Sequence, residues 1–280
     1  MAQKTAAQPT TKAKTTWFER VEYYVPTFLV AMLVIGIWEL LVWVFNIQQF
    51  LLPKPSAILI ELAREAYLST TGSSILFEAV GATAWSAVGG FVLGSLLGIL
   101  IALITARWTI VNEALMPFAI AANSVPIIAF APIMNNWFGL TNPASKIAIV
   151  SIIVFFPVMI NTVRGLTLVD PMQLELMHSY AARPRKILLA LRIPNALPYV
   201  FSALRVTSSL SVIGAVVGEF FGGPRATLGV VITQEASSFN FARAWAAIVM
   251  AAVIGITFYL LVLFAERRFM PWHHSMRESA

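Results

Sequence analysis

The residues of this chain that could do chemistry cluster in one short stretch. Glu175 and His178 stand there close to three basic residues, Arg183, Arg185 and Lys186. Histidine is the side chain that most readily changes charge near neutral pH, so it is the first candidate for acid–base work. The chain has three histidines. All of them fall in segments that we expect to face water, where a titrating surface residue is the better interpretation.

Familiar catalytic patterns are missing from the sequence. It contains no cysteine, which excludes disulfides, thiolate metal sites and a cysteine nucleophile. It has no G-x-x-x-x-G-K-[ST] phosphate loop, so it does not hydrolyse a nucleotide by that route. The H-E-x-x-H and G-x-S-x-G patterns are absent as well. We therefore expect that this protein is not an enzyme and that it has no cofactor and no metal site.

The stretch over residues 170–195, here called the charged segment, favours two short helices at an angle. From Pro171 to about residue 182 the apolar residues Leu174, Met177 and Ala181 recur at helical spacing. Pro184 then interrupts, because proline cannot donate to a helical hydrogen-bond ladder. A second helix over residues 185–191 is expected to end before Pro194.

This pair of helices would form a knob with an apolar stripe and a basic rim. Such a knob suits insertion into a groove on a soluble partner. It equally suits an interfacial helix pair that rests on lipid headgroups. From the residues alone, both interpretations stay open.

The elements that must position this segment are membrane helices. The chain is 59% hydrophobic and only 11% charged, which is more apolar surface than one soluble core of 280 residues could bury. Runs of about 20 apolar residues suffice to cross a membrane. Six candidate spans result, at about residues 25–45, 79–106, 114–134, 147–163, 196–221 and 244–264.

The basic residues indicate how these spans are oriented. The formal charge is +6, and most lysines and arginines fall on the side that holds both termini and the charged segment. Because positive residues favour the cytoplasmic side, we expect both termini there. Residues 1–16 are predicted to be a disordered cytoplasmic tail, and residues 271–280 a second tail. The charge therefore reflects topology, and we expect no nucleic-acid partner.

The spacing of residues predicts two further structural features. Pro55 begins a helix on which Ile58, Leu62 and Glu65 share one side, and we expect it along the outer membrane face. Gly90, Gly94 and Gly98 form a ladder of small residues on the second span. Such a ladder lets another helix approach closely, and packing within the chain is favoured over a dimer seam.

Polar residues within spans are costly in hydrocarbon, so they usually face a cavity or a neighbouring helix. Near the prolines of the third span, such residues indicate the wall of a gated transport pathway. An equally good interpretation is that they form hydrogen bonds between helices. The pathway candidates are Asn123, Ser124, Asn135, Asn161, Ser208 and Glu219. Glu39 and Arg205 are interpreted as structural, and they could pair with each other.

The charged segment resembles the EAA motif of permease subunits of ATP-binding-cassette importers, which reads E-A-A, three residues, G, nine residues, I-x-L-P. Residues 175–177 (ELM) stand for E-A-A, Ala181 stands for G, and residues 191–194 (LRIP) close the motif at the same spacing. The replaced glycine matters, because alanine disfavours the positive φ that glycine adopts. The resemblance extends over about residues 75–265.

This resemblance implies an all-α membrane protein with six transmembrane helices and the type I importer permease fold. It implies docking onto two ATP-binding subunits and delivery of the solute by an extracytoplasmic binding protein, and we expect a permease homodimer surrounded by membrane lipid. The residues that it assigns to ATPase coupling are Glu175, Ala181, Arg183, Leu188, Leu191, Ile193 and Pro194. A secondary transporter is the alternative class, but the inverted repeats and midplane ion site it needs are not visible.

The sequence says least about the cargo. It resembles the branch of the family that handles nitrate, bicarbonate, sulfonates and taurine, and also riboflavin and thiamine pyrimidines. An anion importer should show basic groups along its pathway, and only Arg205 is available. Asparagine, aromatic and aliphatic residues suit a neutral heterocycle better. We expect riboflavin or a thiamine pyrimidine precursor, with nitrate, sulfonate, taurine or bicarbonate as alternatives.

Overall fold

The computed structural model describes residues 17–106 and 108–270, and every regular element in these ranges is a helix. The predicted tails at residues 1–16 and 271–280 lie outside the described residues. The α-helices are α1 (Trp17–Val44), α2 (Pro55–Thr70), α3 (Ile75–Thr105), α4 (Thr109–Asn123), α5 (Ala131–Phe138), α6 (Pro143–Thr167), α7 (Pro171–Ser179), α8 (Pro184–Ile187), α9 (Ile193–Phe220), α10 (Leu228–Ser237) and α11 (Phe241–Phe269).

Five of the described helices are long and apolar enough to cross a membrane, and a bent pair gives a sixth span when its two halves are counted as one. In that pair, Met116–Asn123 and Ile127–Phe138 meet at 77°. The expected all-α, six-span architecture is therefore confirmed, with the third span broken. The fourth span, helix α6, has 25 residues and is longer than the span expected at residues 147–163. It starts early because Pro143 occupies its first turn and Asn142 accepts a hydrogen bond from the Ala144 amide.

The core is built from α3, α6 and α9, which contact one another along their lengths. Gly94 lets α3 touch α6, because a Cβ there would overlap the carbonyl oxygen of Ser151. A Cβ at Gly98 would lie 2.9 Å from the carbonyl oxygen of Phe155. The glycine ladder thus serves packing within the chain, as favoured from the sequence. In lipid, where apolar surfaces gain little by leaving the solvent, such close contact is a main source of helix association.

Helix α2 packs against this core through the side expected from its spacing. Ile58 and Glu65 are buried, and Leu62 is partly buried against the main cluster. Arg243 of α11 pairs with Glu65 at 2.7 Å, and Ser74, the N-cap of α3, donates to the same carboxylate at 2.7 Å. These contacts satisfy the buried charge and hold α2 to α3 and α11.

Helix α1 stands at the edge of the molecule. Only 6% of the apolar stretch of α1 is buried within the chain, so most of this helix presents apolar side chains outward. Its C-terminal half is attached by Trp38, whose ring centroid lies 5.2 Å from that of Trp245. The carboxylate of Glu39 accepts hydrogen bonds from the amide of Ser56 at 3.1 Å and from its hydroxyl at 2.8 Å.

The suggested pairing of Glu39 with Arg205 is wrong. Glu39 holds the N-terminal turn of α2, where free backbone amides attract a carboxylate. Arg205 of α9 instead lies 3.0 Å from Glu266 of α11. Glu39 and Arg205 therefore each have a nearer partner, which offsets the free energy lost on leaving water.

Candidate functional site: the charged segment and the broken span

Helix α7 of the charged segment begins and ends with strong local signals. Pro171 occupies its first turn, and the Asp170 carboxylate accepts a hydrogen bond from the Met172 amide at 2.9 Å. Past its end, the amide of Ala182 donates to the carbonyl of Met177 at 3.0 Å. This bond, with Ala181 at φ +47°, forms a Schellman turn. Ala181 thus adopts a backbone conformation in which glycine is the preferred residue, and glycine is what the EAA motif has at this position.

The exposed apolar face of α7 differs from the stripe predicted at Leu174 and Met177. Those two side chains are half-buried against the protein. The residues that project outward are Met172, Leu176 and Tyr180, which are 76%, 55% and 77% exposed. Their spacing of four residues could have predicted this exposed face from the sequence. The face was missed because residues 174 and 177 also recur at helical spacing and were taken as the apolar stripe.

Around this row lie the charged candidates. Glu175, Arg183, Arg185 and Lys186 are all exposed. Arg183 and Lys186 border a shallow depression together with Tyr180. The knob is therefore an apolar row with a basic edge and the exposed carboxylate of Glu175, a surface that offers both burial and charge pairing to a partner.

The second half of the charged segment is not the separate helix that was predicted. A single helical stretch runs over Pro184–Phe220, which joins α8 to α9 through a π-helical turn at Leu188–Arg192. Pro194 does not break it, because the wider turn gives room where the proline ring would otherwise clash with the carbonyl four residues earlier. Prolines 194 and 198 therefore lie within the fifth span rather than marking its start.

The other residues predicted to couple the permease to the ATP-binding subunit differ in how deeply they are buried. Leu188, Leu191 and Ile193 are half-buried, whereas Pro194 is exposed. Ile187 is 7% exposed and is the buried anchor of α8. The half-buried side chains hold the knob against the membrane helices, and the exposed residues earlier in the segment form its outer surface.

The break in the third span exposes the first two pathway candidates. Asn123 ends α4 and is exposed, and Ser124 follows it, also exposed, with its hydroxyl donating to the Ile120 carbonyl at 3.2 Å. Pro126 has no amide hydrogen, and a short 3₁₀ turn over Ile127–Phe130 leads into α5. A bent, non-helical piece of backbone at membrane depth is tolerated where it faces protein or a water-filled cavity.

Asn135 lies in a different environment from Asn123. It is buried, donates to the carbonyl of Phe221 at 3.1 Å and accepts from the ammonium of Lys146 at 3.0 Å. Lys146 is 1% exposed and also donates to the Leu140 carbonyl and the Ser145 hydroxyl. Asn135 thus ties α5 to α6 and to the end of α9.

Two further candidates make contacts within their own helices. The Asn161 amide is half-buried and donates to the carbonyl of Pro157 at 2.8 Å. The Ser208 hydroxyl is buried and donates to the carbonyl of Arg205 at 2.7 Å. Both pair with the residue three or four positions earlier, a common way to satisfy such side chains in apolar surroundings.

Glu219 is buried near the end of α9 and joins three elements. Its carboxylate accepts from the Gly229 amide at 2.8 Å and from the Thr83 hydroxyl at 3.0 Å. The amide of Leu228 in turn donates to the Thr83 hydroxyl at 3.0 Å. Glu219 and Thr83 thereby cap the N-terminus of α10, where free amides favour a negative charge.

These contacts decide whether three of the cations in the described helices are free. Lys146 is bound to the turn before α6, Arg205 to Glu266, and Arg243 to Glu65 and Glu235. Each of these three cations has an acceptor in the chain. The surface next to the break in the third span is instead amide, hydroxyl and apolar in character.

The family is decided by a match of residues 94–271 to the model for the binding-protein-dependent transport system inner membrane component. The chain belongs to this family of ABC importer permeases. It is therefore a multi-pass membrane protein and a non-enzymatic transport subunit, and its family works with an ATP-binding subunit and a solute-binding protein. The match covers the charged segment and the helices on both sides of it.

Two relatives with known names cover most of this permease. It is 32% identical to the formylaminopyrimidine transport permease protein ThiX of Halalkalibacterium halodurans over 247 residues, 88% of this chain and 95% of the relative. It is 30% identical to the riboflavin transport system permease protein RibX of Chloroflexus aurantiacus over 244 residues, 87% of this chain and 88% of the relative. Permeases named for aliphatic sulfonates, taurine and nitrate match at 24–27% identity.

A solved structure shows the same fold. The protein described as an amino acid ABC transporter with histidines matches with a TM-score of 0.57 at 18% identity, over 72% of this chain and 97% of that one. At this identity the likeness concerns the fold alone. It confirms the type I importer permease fold expected from the sequence.

Proposed function

We propose that this permease works as a homodimer in the membrane, with the charged segment of each copy docked onto one of two ATP-binding subunits. The exposed row of Met172, Leu176 and Tyr180 enters a groove on that subunit, and the charges beside it pair at the rim. The family membership supports such partners. The single observation that carries the docking site is this apolar row, projecting outward at a spacing of four residues.

The second copy of the permease covers a free face of α9. Val206, Ile213 and Phe220 are 59%, 54% and 42% exposed and recur every seven residues. Elsewhere α9 is packed against α3, α6 and α11, so this face is the side of a core helix that its own chain leaves open. A heptad spacing places the three side chains in one line, which suits contact with a matching helix.

The docking proposal is tested by placing a charge in the apolar row. Leu176→Glu should abolish copurification of the ATP-binding subunit while the permease still reaches the membrane, because a carboxylate would be desolvated in the groove. Tyr67→Glu, at a position on α2 that is even more exposed than Leu176, is the control and should leave copurification unchanged. Normal copurification of the Leu176→Glu variant would refute docking through this face.

The cargo that we propose is a neutral heterocycle, riboflavin or a thiamine pyrimidine precursor. The surface at the break offers the Asn123 amide and apolar side chains, which suit hydrogen bonding and stacking. The cations Lys146, Arg205 and Arg243 already have partners in the chain, which makes them less available to hold an anion. The relatives named for formylaminopyrimidine and riboflavin support the same choice.

A small anion is the second candidate cargo. Relatives named for sulfonate and nitrate transport favour it, and Arg205 is 32% exposed beside its partner Glu266. An arginine has several donors, and here its Nε lies 3.0 Å from the carboxylate of Glu266. An anion importer would use this guanidinium, whereas an importer of neutral heterocycles would not.

Binding and uptake measurements separate the two candidates. We expect the solute-binding protein that works with this permease to bind riboflavin or formylaminopyrimidine, and not taurine, alkanesulfonates or nitrate, in a calorimetric titration. In proteoliposomes with the complete transporter, Asn123→Ala should lower uptake of the bound compound, and Arg205→Gln should lower it much less. Tight binding of an anion, with uptake lost in Arg205→Gln, would overturn the cargo proposal.

A further inference from the structure

The base of the charged segment is fastened to the fourth span by one asparagine. The side-chain amide of Asn195 donates to the carbonyl of Gly165 at 2.8 Å and to that of Leu168 at 2.9 Å. Both carbonyls lie at the C-terminal end of α6, where helical carbonyls have no partner within the helix. One side chain of α9 therefore satisfies two backbone groups of a different span.

The helices touch closely beside this asparagine. A Cβ at Gly165 would lie 2.7 Å from the Cα of Ala196, so the backbones of α6 and α9 are in direct contact there. One turn earlier, Arg192 donates to the carbonyl of Ala106 at 3.3 Å, at the end of α3. Packed backbones joined by hydrogen bonds leave little room for α9 to slide along α6 without breaking these contacts.

The geometry of the chain connects this junction to the knob. Helical structure is continuous over Pro184–Phe220, so Arg185 and Asn195 are part of one rod. Ten residues of helix span about 15 Å, which places the junction about 15 Å along the rod from the basic edge of the knob. A displacement of α8 is therefore transmitted to Asn195 along the helix, with only the π-helical turn between them.

We infer that Asn195 is a positioning residue that transmits movement of the docked charged segment to α6. This inference rests on the proposed docking of the ATP-binding subunit. When the knob is displaced, the two hydrogen bonds of Asn195 carry α6 with it, and α6 reaches the outer face of the membrane. Without them the knob still docks, but its movement is no longer followed by the fourth span.

The test uses the complete transporter and needs no knowledge of the cargo. Hydrogen–deuterium exchange is measured with and without ATP plus vanadate, in the charged segment and in residues 139–145 at the opposite end of α6. In the native protein we expect nucleotide to change exchange in both regions. In Asn195→Ala the change should persist in the charged segment and be lost in residues 139–145.

Thr167→Val is the matched control. The Thr167 hydroxyl lies in the last turn of α6 and donates to the Val163 carbonyl at 2.9 Å, within its own helix. Its loss removes a hydrogen bond of the same helix end without disconnecting two spans, so both exchange responses should remain. Asn195→Asp is a second variant that keeps the size of the side chain but presents oxygen to the two carbonyls, and it should behave as Asn195→Ala.

The outcomes are distinct. A nucleotide response at residues 139–145 that survives in both Asn195 variants would overturn the inference, as would a native protein that shows no response there. A merely stabilising role predicts lower thermal stability with the response intact, which also counts against transmission. Failure of the ATP-binding subunit to copurify with the native permease would instead refute the proposed docking itself.

Discussion

Ala181 is a residue whose backbone conformation bears directly on the charged segment. Its φ of +47° belongs to the left-handed region, where an alanine Cβ comes too close to the next carbonyl oxygen. The conformation persists because the turn closes α7 with its hydrogen bonds and leads the chain into Pro184. The chain thus keeps the shape of the glycine turn of the EAA motif with an unfavourable residue in it.

Ala181→Gly should therefore stabilise the permease. Removing the Cβ relieves about 1 kcal/mol of backbone strain, partly offset by the greater freedom of glycine in the unfolded chain. We expect a small rise in Tm by scanning fluorimetry in detergent. Ala181→Val should lower Tm, because β-branched residues tolerate positive φ least. An unchanged or lower Tm for the glycine variant would show that the turn carries no strain.

At the scale of helices, the contact between α3 and α6 organises the membrane core. Gly90, Gly94 and Gly98 bring α3 close to the α6 backbone, and the buried residues Val150, Val154 and Val158 of α6 fill the same cluster. Small residues on one helix facing β-branched residues on the other give close contact at little loss of side-chain freedom. Helix α9 then packs onto the other side of α6 through Gly214 and Gly218.

Gly94→Ala should weaken this helix pair. Its Cβ would overlap the carbonyl oxygen of Ser151, which is backbone and cannot rotate away, so we expect a loss of about 1–3 kcal/mol and a clear drop in Tm. Gly81→Ala is the control on the same helix, because a Cβ there meets nothing within 4 Å. If both variants melted alike, the close approach of α3 and α6 would not be limiting for stability.

At the scale of the whole molecule, the charge distribution predicts the orientation in the membrane. We propose that both termini and the charged segment are cytoplasmic, since most basic residues lie on that side. Helix α2 would then lie on the outer face. The position of α2 between the first and second spans makes it a marker for the side opposite the charged segment.

Cysteine labelling measures this orientation directly, because the chain contains no cysteine. Met172 in α7 and Tyr67 in α2 are 76% and 72% exposed, so a cysteine at either position is open to a reagent. A membrane-impermeant maleimide applied to intact cells should label Tyr67→Cys and leave Met172→Cys unlabelled. Inside-out vesicles should give the reverse, and the opposite pattern would invert the proposed topology.

The sequence by itself determined the class of this protein. Long apolar runs, basic flanks and the spacing of the EAA motif all act over short distances along the chain, so they predicted helical spans and an importer permease without coordinates. Glu39, Asn135, Arg205 and Glu219 were recognised as polar groups in unusual places for the same reason. Their partners were not identified, and the suggested Glu39–Arg205 pair is wrong, because sequence patterns act locally whereas a partner such as Thr83, which donates to Glu219, lies 136 residues away in the chain.

Only the tertiary structure decided these contacts and the continuity of the rod over Pro184–Phe220. Prolines predict breaks from local sterics, yet at Pro194 a widened turn absorbs the clash and the helix continues. At Pro126 the backbone instead bends through 77°. The two outcomes differ because α9 is held on several sides by α3, α6 and α11, whereas α4 has far fewer contacts to keep it straight.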